Sequence, residues 1–83
     1  MTESYRVRVQ YFAILREEAG RSEEEVSTSA RTLGDLYEEL SARYGFGLPR
    51  ERLKVVVNEE FDEWTRPVRE GDTSVFIPPV AGG

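Results

Sequence analysis

The sequence predicts an α+β domain: a mixed sheet of about four to five strands, one main helix packed across one face, and a short helix after the first strand. Three observations carry this. Residues 5–12 and 74–77, near the two ends of the chain, are short runs of strand character. Leu33–Tyr44 has helical apolar spacing along its whole length. The chain has 83 residues, enough for one domain and one small core.

Residues 5–12 alternate. Tyr5, Val7, Val9 and Tyr11 share one face, and Arg6, Arg8, Gln10 and Phe12 share the other. This is the pattern of a half-buried strand, with Phe12 as the large apolar group on its polar side. Residues 13–19 are good helix formers and end at Gly20, a natural stop. A turn through Gly20, Arg21 and Ser22 makes residues 23–29 a second strand antiparallel to the first, anchored by Val26. Thr32 and Asp35 have the spacing of a capping box. Leu33, Leu36, Tyr37, Leu40 and Tyr44 form one stripe, Glu38, Glu39 and Arg43 lie off it toward water, and Gly45 stops the helix.

Residues 46–49 are a connector broken by Gly47 and Pro49. Residues 53–57 form a nearly unbroken apolar run, which predicts a strand central in the sheet. Asn58, Glu59 and Glu60 supply a turn, and a brief return strand passes Phe61. Turn-rich segments around Pro67 and Gly71 lead to the last strand, which Pro78 and Pro79 end because proline gives the ladder no donor. The expected organisation is a folded domain over residues 1–77 and an extended C-terminal tail over 78–83 ending in Gly-Gly.

Composition narrows the chemistry. Eleven basic residues against sixteen acidic ones leave a net charge of -5, opposed to the basic footprint of a nucleic-acid binder. There is no histidine and no cysteine, so an imidazole base, a thiol nucleophile, a thiolate zinc site and a disulfide are all excluded. A carboxylate-pair hydrolase needs a cleft that so small a domain hardly forms. No apolar run approaches the ~20 residues that span a bilayer, and the charged opening segment has no signal-peptide core, so a cytoplasmic location is expected. A carrier, a binding module or a subunit fits better than a complete enzyme.

The tail is the informative part. Pro78 and Pro79 favour an extended path, Val80 and Ala81 are small, and Gly82 and Gly83 have no side chain to block entry into a narrow tunnel. Such a tail offers the Gly83 carboxylate to another protein's active site. A carboxylate is a poor electrophile, but its acyl-adenylate is a good one. Sulfur attack then gives a thiocarboxylate, and amine attack gives an amide.

Four stretches carry a resemblance that covers nearly the whole chain: VRVQYFAILRE from Val7, TLGDL from Thr32, VNEE from Val57, and FIPPVAGG from Phe76 after the Gly71-Asp72 turn. The sequence resembles the ubiquitin-like β-grasp sulfur carriers of the molybdopterin synthase small-subunit type. The resemblance implies that an adenylating enzyme of the ubiquitin-activating type uses ATP to adenylate Gly83, that a sulfur donor makes the thiocarboxylate, and that Gly82 lets the tail thread. It implies sulfur donation to cyclic pyranopterin monophosphate inside a large subunit that holds the catalytic side chains, in a heterotetramer. No cofactor or metal is then bound by this chain, and no nucleic acid or membrane is a partner. The family's apolar docking positions fall on Phe12, Phe61 and Ile77, with Pro78, Pro79, Val80 and Ala81 entering the partner. Strand parity independently places Phe12 and Ile77 away from the core.

Two other readings stay open: a sulfur carrier for thiazole or another metabolite, and a protein modifier joined to lysine. Lys54, the single lysine, lies in the expected central strand, which argues against self-linked chains. The acidic residues Glu59, Glu60, Asp62 and Glu63 form either a solvated loop or a surface that steers a basic partner. Trp64 either covers the core or anchors an interface.

Overall fold

A computed structural model describes residues 4–79; residues 1–3 and 80–83 lie outside that description. The elements follow in the order β1 (Tyr5–Tyr11), α1 (Ile14–Ala19), β2 (Glu23–Thr28), α2 (Leu33–Tyr44), a 3-10 turn (Arg50–Arg52), β3 (Lys54–Val57), β4 (Glu60–Asp62) and β5 (Thr73–Ile77). All five strands form one sheet in the order β2-β1-β5-β3-β4. β1 and β5 are parallel, and every other neighbour pair is antiparallel.

The alternation in β1 has the expected result. Val7, Val9 and Tyr11 are buried, while Arg6 and Arg8 are exposed. The same parity buries Val26 and Thr28 of β2, Val55 and Val57 of β3, and Ser74 and Phe76 of β5. α2 lays Leu33, Leu36, Tyr37 and Leu40 against this face, each of them at most 1% exposed. Burial of side chains this size stabilises the fold by about 1.5–3 kcal/mol apiece, so this one layer holds most of the fold together. Phe46, Leu53 and Val68, from the connecting loops, complete the cluster.

Both ends of α2 are fixed locally. The Thr32 hydroxyl accepts from the Asp35 N–H at 3.2 Å. Asp35 itself is exposed, and the neighbouring amides of Leu33 and Gly34 donate to the carbonyls of Arg66 and Trp64 at 3.0 and 2.9 Å. The loop after β4 thus caps the helix together with the threonine. At the other end Gly45 turns left-handed, with φ of 72°, where the helix stops.

Two expectations need correction, and the open reading of Trp64 is decided. β3 is not the middle strand: β5 is, and β3 lies between it and the edge strand β4. Its valine run looked buried on both faces, but a single helical layer covers only one, so Lys54 is exposed and Val56 half-buried. Lys54 is therefore open to solvent, and the strand's position does not hide its amine. Glu39 does not simply face water, because it accepts from the Thr28 hydroxyl at 2.8 Å and fastens α2 to β2. Trp64 covers the core, stacked on Phe76 at 5.8 Å and tilted against Tyr37 at 5.6 Å.

Candidate functional site

The sheet face opposite α2 has no element across it among the described residues. Register defines what it displays. Gln10 pairs with Val75, Val75 with Val56, and Val56 with Phe61, so these side chains form one row across β1, β5, β3 and β4. One step toward the end of β5, Ile77 pairs with Lys54. Phe12 directly follows Tyr11, which pairs with Phe76, so it stands at the same end of the sheet as Ile77. Phe12, Phe61 and Ile77 thus belong to one surface. Phe61 is 73% exposed, Phe12 is 47% exposed, and Ile77 is half-buried.

The rest of that face is charged and self-neutralised. Arg6 lies 3.6 Å from Glu25, and Arg8 lies 3.3 Å from Glu23. The face is divided into an ion-pair ladder on β1 and β2 and a strip on β5, β3 and β4 that is apolar apart from Lys54 beside Ile77. Contiguous apolar surface of this kind usually marks an interface.

Phe61 is held out by a polar clamp beneath its hairpin. Asn58 and Glu59 both have positive φ, 51° and 75°, the arrangement of a tight hairpin turn. The Asn58 amide donates to Asp72 Oδ1 at 3.0 Å, and its own Oδ1 accepts from the Thr73 N–H at 3.0 Å. Asp72 Oδ2 accepts from Arg66 Nη1 at 2.8 Å and from the Arg69 N–H at 2.9 Å. Arg66 reaches on to Asp62 at 2.9 Å. Burial pushes the Asp72 carboxyl up, but the hydrogen bonds from Arg66, Arg69 and Asn58 outweigh it and hold it below the usual carboxylate range. Asp62 is tied to this clamp through Arg66, although it is exposed like Glu59, Glu60 and Glu63.

A second clamp sits on the helix side. Glu24 accepts from the hydroxyls of Tyr11 and Tyr44, each at 2.6 Å, and from Arg21 at 3.2 Å. Burial raises this carboxyl, and the two tyrosine hydroxyls outweigh it, so the net displacement is downward. Burial raises the Tyr11 phenol, and its bond to Glu24 raises it further. A carboxylate held ionised beside phenols held neutral is a fixed structural pair, with no group poised to exchange a proton near neutral pH.

Of the residues singled out for the tail, Pro78 is buried and Pro79 is exposed, directly after the central strand. Val80, Ala81, Gly82 and Gly83 lie outside the described residues. No cluster of metal-ligating side chains exists among the described residues. What the described residues display is an exposed apolar surface around Phe12, Phe61 and Ile77.

Sequence reasoning missed Ile14. It is the first residue of α1 and is 42% exposed. Ala13 before it has φ of 53° and ψ of -126°, a conformation that suits glycine, and the Leu15 N–H closes the turn on the Phe12 carbonyl at 3.1 Å. The only available signal was an apolar residue at a helix start, which reads as core.

Residues 9–83 match the ThiS family. This chain belongs to that family. The molybdopterin synthase sulfur carrier subunit of Escherichia coli is 31% identical over 80 residues, which cover 93% of this chain and 99% of the relative. Among solved structures, SAMP1 from Haloferax volcanii is 26% identical with a TM-score of 0.78, covering 94% of this chain and 99% of its own. A chain of the protein-protein complex of subunits 1 and 2 of the molybdopterin-converting factor from Helicobacter pylori resembles it too. There the identity is 25%, the TM-score 0.62, and the coverage 94% and 99%. The fold of this ThiS-family chain is the ubiquitin-like β-grasp, as its sequence implied.

Proposed function

We propose that this chain is the sulfur carrier of a molybdopterin synthase. The observation that carries the reading is its likeness, over nearly the full length of both chains, to the E. coli sulfur carrier subunit. The apolar strip through Phe12, Ile77 and Phe61 supports it, because a carrier needs a surface by which its partners recognise it. The H. pylori complex supports a large subunit as one of those partners.

In this reading the Gly83 carboxylate attacks the α-phosphorus of ATP in a ubiquitin-activating-type enzyme and expels pyrophosphate. Hydrosulfide released by the donor then attacks the acyl carbon and expels AMP, leaving the thiocarboxylate and a proton. Gly82 passes the narrow approach because it has no Cβ. Pro78 and Pro79 lead away from β5, and the strip docks on the large subunit while Val80 and Ala81 enter it. There the sulfur passes to cyclic pyranopterin monophosphate. The chain itself contributes the acyl group and the recognition surface, in keeping with the absence of histidine and cysteine.

The likeness to SAMP1, a small archaeal modifier protein, favours a second reading in which the same adenylate is taken by a lysine of a target protein. One experiment separates the two. The chain is incubated with ATP, the activating enzyme and a sulfur donor, and its intact mass is measured. A gain equal to the exchange of one oxygen for sulfur supports the carrier. Species heavier by a whole target protein support the modifier, and an unchanged mass overturns both. Supplying the pterin precursor and a large subunit then tests the acceptor.

A further inference from the structure

We propose that the turn from β1 into α1 is part of the docking surface, with Ile14 as a contact that decides partner fit. The inference rests on the reading that another protein encloses Gly83. Three observations lead to it. Phe12 and Ile14 are two of the three large apolar side chains most exposed in the described structure, the third being Phe61. They flank Ala13, whose backbone is held at a positive φ that costs an alanine on the order of 1–3 kcal/mol. Leu15, completely buried, and the Leu15-to-Phe12 hydrogen bond hold the chain in that conformation. A strained turn that displays apolar groups on both sides is better explained by recognition than by packing, since neither group is buried by the fold.

The occupant follows from position. The turn begins where β1 ends, and that end of β1 lies beside the end of β5, from which residues 78–83 continue. Six residues, from 78 to 83, span at most ~21 Å when fully extended. A protein that closes around Gly83 must therefore come within about that distance of the root of the tail. At that range its surface meets Phe12 and Ile14 as well as Ile77. The partner accordingly presents an apolar patch beside the mouth that admits the tail. In the proposed function this is the large subunit.

The test measures binding of the full chain to the purified large subunit by calorimetry, with thermal melts and sedimentation of each variant alone. Ile14→Glu is expected to weaken binding at least about tenfold, and Ile14→Gln to do so less. Ile14→Leu should stay within about threefold of the parent, and all three should melt near it, since the side chain is half in solvent. Phe61→Asp serves as a comparison at a distant point of the strip. If Ile14→Glu binds like the parent while Phe61→Asp does not, the inference is overturned and the carrier reading stands. If Ile14→Glu changes only self-association, the occupant is a second copy and the inference is again overturned. If the parent itself shows no affinity for the large subunit, both fall together.

Discussion

At the scale of single residues, the core holds an unmet demand. The Ser74 hydroxyl is fully buried on the central strand and has no hydrogen-bond partner among the described residues. A hydroxyl taken from water without compensation costs about 1–3 kcal/mol. Ser74→Ala is therefore expected to raise stability by about 1 kcal/mol, seen as a higher urea midpoint with an unchanged slope. A lower midpoint would mean that the hydroxyl has a partner in solution. The contrast with Asp72 is instructive. That carboxylate is also largely removed from water, at 7% side-chain exposure, yet each of its oxygens is bonded.

At the scale of elements, the Asp72 clamp ties the β3–β4 hairpin to the loop before β5, and it is sensitive to acid. The carboxyl is held below its ordinary pKa of ~3.9, so its contribution is complete above that pH. The contribution is lost as the pH falls through the lower folded value. Asp72→Asn is expected to cost about 2 kcal/mol at neutral pH and progressively less as the solution is acidified. Urea midpoints measured across that range check it; a penalty independent of pH would refute the clamp. The tyrosines give the opposite limb. Burial pushes the Tyr37 phenol up to about 12, and the phenols of Tyr11 and Tyr44 also rise, first through burial and then through Glu24. Their contribution is whole below ~10 and disappears as the pH rises through the folded values. Phenolate absorbance from these three tyrosines should therefore appear above the ordinary tyrosine range and coincide with loss of the fold.

Elements also show what the sequence could and could not reveal. α2 was legible to the residue, because its stripe, its threonine cap and its glycine stop are local signals that agree. The face shared by Phe12 and Ile77 was legible from period-two parity. The central place of β5 was not, since a parallel pairing with β1 joins residues far apart and leaves no local mark. Glu24 was hidden in an acidic run, and only its distances to two tyrosine hydroxyls reveal its role. Ile14 was hidden by chemistry, because an isoleucine that waits for a partner and one that fills a core are the same residue type.

At the scale of the molecule, the proposed function divides labour between a body that folds and a tail that reacts. Adding one residue after Gly83 is expected to leave the melting temperature within error and to abolish mass gain in the loading reaction. Loading of the extended chain without trimming would remove Gly83 from the chemistry. Replacing Ile77 with aspartate should leave loading chemistry possible yet weaken binding of the large subunit at least about tenfold.

Because β5 is flanked by β1 on one side and β3 on the other, a pull on the end of the chain loads both ladders in shear. Their hydrogen bonds must then yield together instead of opening one after another from an edge. An enzyme that draws the tail into its active site, or releases it after turnover, can tug on this strand without unravelling the domain. Under an optical trap, stretching from the last residue should meet far greater resistance than stretching across the β3–β4 hairpin.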